Sequence, residues 1–234
     1  MSSCGFRFQG IDLVARPSGA LFWPARRALL VADLHLGKSD RLARRGGVLL
    51  PPFESQATLE RLQAELKACE AESLICLGDS FDDNLAVYGL GVSHELLLAI
   101  CKTYQVWWIT GNHDPNLTTL PGQVFDELVL DGVALRHVAD KGPDISGHYH
   151  PKFKFLGRRV AAFLLGPSNL ILPAFGAYTG GLDHDAPALA KLIPRGFAIL
   201  TGQSARMLPF GPDLAIRHDR RKAVSAFRSR QKIR

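Results

Sequence analysis

Val106-Trp107-Trp108-Ile109 runs into Gly111-Asn112-His113-Asp114, so an apolar run ends on an amide, an imidazole and a carboxylate. A buried strand of this kind delivers polar side chains to the loop at its C-terminal edge, and open α/β sheets bind their ligands at that edge. Asparagine alone is a poor metal ligand, so the stretch calls for partners. Three other places supply them. Asp33-Leu34-His35 follows Leu29-Leu30-Val31-Ala32, Gly78-Asp79-Ser80-Phe81-Asp82 follows Leu74-Ile75-Cys76-Leu77, and Gly147-His148-Tyr149-His150 completes the set. Each block puts Asp, Asn or His where a strand should end.

Asp-x-His, Gly-Asp-x-x-Asp, Gly-Asn-His-Asp and Gly-His-x-His, in that order, resemble the motifs of the calcineurin-like metallophosphoesterases. Any one alone is weak, because short strings of Asp, Gly and His recur by chance. A narrower resemblance rests on Asp33-Leu34-His35-Leu36-Gly37-Lys38 together with Leu172-Pro173-Ala174-Phe175-Gly176-Ala177-Tyr178-Thr179-Gly180-Gly181. These stretches are similar to those of the bacterial ligase-associated DNA-damage-response phosphoesterases, over roughly residues 5–210.

Carboxylate oxygen mixed with imidazole nitrogen suits Mn, Fe or Zn rather than Ca, and the lack of Cys in the motifs argues against a structural zinc site. The resemblance implies two divalent ions, Mn foremost. Asp33, His35 and His150 would hold one, Asn112 and His148 the other, and Asp79 would bridge them. The family needs one more histidine on the second ion, and His137 is the only one between the third and fourth motifs. Two such ions about 3.5–4 Å apart share a hydroxide and aim it in line at phosphorus. His113 and Asp82 are the candidate catalytic pair: His113 stabilises or protonates the leaving oxygen, oriented by Asp82. Asp82 fits the general phosphoesterase pattern, although the ligase-associated members often carry His there. Asp114 reads as structural. Lys38 is open between a substrate contact and a solvated cation, Tyr178 and Thr179 are expected to pack at a strand end rather than line the site, and Trp107 and Trp108 are expected in the core and on the sheet face. His94, His184 and His218 read as surface or helix residues.

The implied activity is a phosphodiesterase, a DNA endonuclease in repair, associated with an ATP-dependent DNA ligase, a helicase and an exonuclease. The alternative is a phosphoesterase for nucleotides or other small esters. A metal-free binding module is disfavoured, since no ligand position is lost.

Bulk properties set the context. A chain of 234 residues with 47% hydrophobic and 21% charged residues is globular and can bury a substantial core. Cys4, Cys69, Cys76 and Cys101 make no CxxC pair, which points to reduced thiols and a cytoplasmic location. Residues 1–10 lack the apolar core of a secretory signal, and the apolar stretch at 160–175 is too broken to span a membrane. The formal charge of +6 is a property of one end. Residues 216–234 hold eight Lys or Arg and one acid, and removing them from 28 basic and 22 acidic residues leaves about −1. The expected organisation is a phosphoesterase domain over 1–215 and a basic tail over 216–234, the tail contacting nucleic acid or merely solvated.

Along the chain, residues 6–14 and 20–23 predict a hairpin, and 53–71 and 93–104 predict helices. The basic stretch from Arg41 to Gly47 predicts a loop near the site. Asp131-Gly132 predicts a hairpin between 124–130 and 133–138. Residues 160–165, 169–173, 197–201 and 205–208 predict further strands. A first half that alternates β and α, then a mostly β second half, predicts two packed sheets with helices outside. The family resemblance implies the same α/β fold, a four-layer α/β/β/α sandwich.

Overall fold

Three neighbouring parallel strands carry the first three motifs, and the first half of the chain is built around them. The structure, a computed structural model, describes residues 2–46, 53–83, 86, 90–113, 117 and 120–212. The first sheet follows chain order: β1 (Cys4–Phe8), β2 (Ile11–Ala15), β3 (Leu21–Trp23), β4 (Ala28–Val31), β5 (Ser73–Leu77), β6 (Gln105–Ile109) and β7 (Gln123–Phe125). Pairing is antiparallel up to β4 and parallel from β4 to β7. Helices α1 (Lys38–Arg44), α2 (Glu54–Ala68) and α3 (Val92–Thr103) lie in the crossovers that parallel pairing demands.

Strand alternation divides each apolar run between two cores. Leu29, Val31, Leu74, Cys76, Val106 and Trp108 meet Leu59, Leu62 and Leu66 of α2 and Leu97 and Ile100 of α3. Leu30, Ile75, Leu77 and Ile109 face the opposite way, into a core shared with Leu135, Ile145, Phe163, Leu170 and Ile199. These belong to the second sheet: β8 (Leu128–Leu130), β9 (Val133–Leu135), β10 (Asp144–Ser146), β11 (Lys152–Phe155), β12 (Arg158–Leu165), β13 (Asn169–Ile171), β14 (Gly196–Leu200) and β15 (Arg206–Phe210). Its order is β15-β14-β12-β13-β10-β9-β8, with β11 paired to β12. Its outer face, with Ala162, Leu164, Ile171 and Ala198, packs on Leu189 and Ile193 in and beside α4 (Pro187–Leu192). The layers are therefore α/β/β/α, as the sequence pattern predicts.

Several local expectations are corrected. The run 6–14 is not one strand, because Gln9 and Gly10 (φ 50° and 83°) turn the chain between β1 and β2. The run 124–130 also divides: β7 ends in the first sheet at Phe125, and β8 begins in the second at Leu128. The Asp131-Gly132 hairpin is present, with Leu130 opposite Val133 and both turn residues at positive φ. The basic stretch after Gly37 is not a loop, since residues 38–44 form α1. A seven-residue helix is marginal by itself. This one is held by Arg41 to Asp82, by Arg44 to Asp83 at 3.0 Å, and by Ser39 to Glu54. The tail from 216, with His218, lies outside the described residues, as does Asp114.

Candidate metal centre

The loops after β4, β5 and β6 leave the same edge of the first sheet, and those after β9 and β10 reach it from the second. Main-chain bonds stitch them together. Asp33 N donates to Gly78 O (3.2 Å), His35 N to Asp79 O (2.9 Å) and Gly147 N to His137 O (3.0 Å). The stretch after Leu172 joins the sheets, through an Ala32–Ala174 bridge and donation from Gly176 N to Asp33 O.

Two clusters of donor atoms result. In Asp33, His35 and His150, one ligand atom from each lies within 4.8 Å of the others, and the same holds for Asp79, His137 and His148. In the first, His35 Nε2 and His150 Nε2 are 3.2 Å apart, and His150 Nε2 is 3.4 Å from Asp33 Oδ1. In the second, His148 Nδ1 lies 3.1 Å from His137 Nε2, with Asn112 Oδ1 at 2.9 Å and Asp79 Oδ1 at 3.5 Å from that same nitrogen. Asp79 stands between the clusters, its Oδ2 4.0 Å from His35 Nε2. All seven expected ligand residues are thus brought together.

The chemistry of these atoms fits divalent ions. His137 Nδ1 contacts the Leu77 carbonyl at 3.1 Å, and a carbonyl only accepts, so the ring proton is on Nδ1. The Nε2 lone pair then points at oxygens that also carry lone pairs, an arrangement a cation satisfies. Burial, reinforced by His137, pushes the His148 imidazole below its usual range against the pull of Asp33 and Asp79, favouring the neutral ring that metals bind. Asp33, His35, Asp79 and His137 are all buried.

The backbone is strained around these groups. Asp33, His35, Asp79, His148 and His150 adopt positive φ, between 45° and 68°. Such conformations cost on the order of 1 kcal/mol or more per residue and collect at functional sites. Two glycines make room. A Cβ on Gly78 would stand 2.3 Å from His137 Nδ1, and one on Gly147 2.6 Å from Asp33 Oδ2.

His113 lies beside both clusters, with its amide donating to Asp79 Oδ1 (2.9 Å) and its Nε2 3.9 Å from Asp79 Oδ2. Its side chain is 35% exposed, more than those of His35, His137 and His150 at 5%, 5% and 15%. Asp82 is placed differently from expectation. It meets His113 through its main-chain carbonyl, 3.1 Å from Nδ1, while its carboxylate turns to His35 and Arg41. Burial opposes ionisation there, yet His35, Arg41 and Lys38 together hold the Asp82 carboxyl below its usual range. Arg41 was visible as part of a basic stretch, but nothing in the sequence pairs it with Asp82. Tyr178 does not pack at a strand end: it is 52% exposed, at φ 55°.

Donor clusters of this type at the joined edges of two sheets define a metal-dependent hydrolase of phosphoesters. The family model for Calcineurin-like phosphoesterase matches residues 26–169, and the chain belongs to that family, whose members use divalent metals. Among solved structures, the Pseudomonas putida nuclease MPE is 34% identical with a TM-score of 0.72, over 89% of this chain and 100% of that one. Yfce, a phosphoesterase from E. coli, is 16% identical with a TM-score of 0.43, over 77% of this chain and 97% of that one. No curated protein matches the chain. Among the described residues, no helix is long and apolar enough to cross a membrane.

Proposed function

We propose that the chain is a nuclease, a Mn-dependent phosphodiesterase that cuts DNA endonucleolytically in repair. The observation that carries the reading is the pair of donor clusters sharing Asp79, in a chain similar along 89% of its length to a nuclease. Asp33, His35 and His150 would hold one ion and Asn112, His137 and His148 the second, with Asp79 within reach of both clusters. When bound, the ions acidify the attacking water and neutralise the non-bridging phosphate oxygens. Two carboxylates leave two divalent ions only half neutralised, so the centre attracts a phosphodiester anion. His113, fixed by donation from Nδ1 to the Asp82 carbonyl, presents Nε2 toward the leaving oxygen and delivers a proton there. A cytoplasmic location and a shared task with an ATP-dependent ligase, a helicase and an exonuclease complete the proposal. They rest on the motif resemblance.

The test is to assay purified protein with Mn on single-stranded and duplex DNA, beside a chromogenic diester and monoester, and to count metals per chain. Two ions, DNA cleavage, and loss of activity in Asp79→Ala are expected. Hydrolysis of small esters with intact DNA would overturn the nuclease reading and favour the small-substrate alternative.

A further inference from the structure

Asp82 carries a carboxylate that the chemistry above does not use. It is 1% exposed, and its amide donates to Leu36 O at 3.0 Å, so the residue is pinned beside the first motif. Oδ1 stands 3.0 Å from His35 Nδ1, on the far side of that ring from the donor cluster, in a contact oblique to the ring N–H. Oδ2 accepts from Arg41 Nε. Arg41 is itself immobilised, since α1 is tied down at both ends. Gly37 N donates to Ser55 Oγ (2.8 Å), Ser39 Oγ to Glu54 (2.7 Å), and Arg44 to Asp83 (3.0 Å).

The second cluster is supported otherwise. His137 rests on the Leu77 carbonyl, a neutral acceptor. A carboxylate behind a ligating imidazole fixes the ring and raises its basicity, and removing such a partner typically costs about 10–100-fold in metal affinity. We propose that Asp82, clamped by Arg41, is a positioning residue for His35 and makes the Asp33–His35–His150 cluster the tighter of the two metal sites. The proposal rests on the reading that both clusters hold metal. It assigns the Gly-Asp-x-x-Asp carboxylate to a metal ligand, and leaves His113 oriented by the main chain alone. It also sets an order of loading: the first cluster fills, then the second.

Calorimetric titration of metal-stripped protein with MnCl2 tests this, with the wild type expected to show two resolved steps. In Asp82→Asn the tighter step should weaken by about 10–100-fold, while the weaker step moves less than about twofold. Arg41→Met, which leaves the carboxylate in place, should weaken the same step by a smaller factor, and it decides the matter if the Asp82 variant does not fold. A merely structural role would lower the melting temperature of the metal-free protein and shift both steps together. Equal weakening of both steps, loss confined to the weaker step, or unchanged binding would each overturn the proposal while leaving the binuclear reading intact. A wild type that binds fewer than two ions would overturn both.

Discussion

Gly147 comes so near Asp33 that a Cβ at position 147 would stand 2.6 Å from Oδ2 and 2.6 Å from the Ala32 Cβ. The next amide, His148 N, donates to Asp33 Oδ1 and Oδ2 at 3.2 and 2.9 Å. One side chain therefore ties the first and fourth motifs together. Gly147→Ala should cost roughly 1–3 kcal/mol through overpacking and weaken metal binding by displacing the carboxylate. Melting of the metal-free variant and a Mn titration measure the two effects separately, and wild-type metal affinity would contradict the argument.

The His113 ring stands edge-on to His35, with centroids 5.4 Å apart, and its Nε2 is 3.9 Å from Asp79 Oδ2. His113→Ala should keep the full metal content and lower turnover on DNA by about 10²–10⁴-fold. The loss should shrink on a nitrophenyl diester, whose leaving group needs no proton. An equal loss on both substrates, or a missing metal, would remove the leaving-group role.

His184 offers a stability test away from the centre. Its ring packs against Phe153 and Phe210, with centroids 4.3 and 5.3 Å away, and burial lowers its pKa despite Asp183 and Asp185. Above about pH 6.5 the ring is neutral in folded and unfolded chains alike, so it contributes no pH dependence. As pH falls through that value the unfolded chain takes up a proton that the folded ring resists, and stability drops. His184→Phe should flatten the decline in melting temperature between pH 7.5 and 5.5 relative to the wild type. An identical decline would show that the ring titrates freely.

The basic tail governs affinity for a polyanion if it engages one, because residues 1–215 carry little net charge. Deleting 216–234 should weaken DNA binding and flatten its salt dependence. The loss in slope is about 0.9 for each duplex phosphate contact and about 0.7 for each single-strand contact. Hydrolysis of a small chromogenic diester should not change. Full DNA affinity in the truncated protein would make the tail a solvated appendage.

The motif strands were legible because parallel strands covered on both faces read as unbroken apolar runs, each ending in its functional residues. The contacts that assemble those residues were less so. Asp144-Ile145-Ser146 has one apolar residue, but it forms buried β10 because β9 and β13 flank it and Asp144 accepts from Asp140 N and Asn169 Nδ2. Helix α1 depends on Arg41 reaching Asp82, a tertiary pairing across 41 residues that no local pattern encodes. The Asp82 carboxylate, expected beside His113, lies against His35 instead, a choice that packing makes. Tyr178 shows the opposite error: packing at a strand end is expected from the sequence, while a left-handed backbone at this position puts the ring outside.

The crossing of the chain from β7 to β8 has a bearing on synthesis. Asp33, His35, Asp79 and Asn112 sit on loops of the first sheet, whereas His137, His148 and His150 come from the second. Each donor cluster therefore draws on both halves, and neither half alone can enclose an ion. Chains emerge from the ribosome N-terminus first, and the histidines arrive last. Until the second sheet docks, a nascent or prematurely terminated chain lacks three of the seven donor residues and can complete neither cluster.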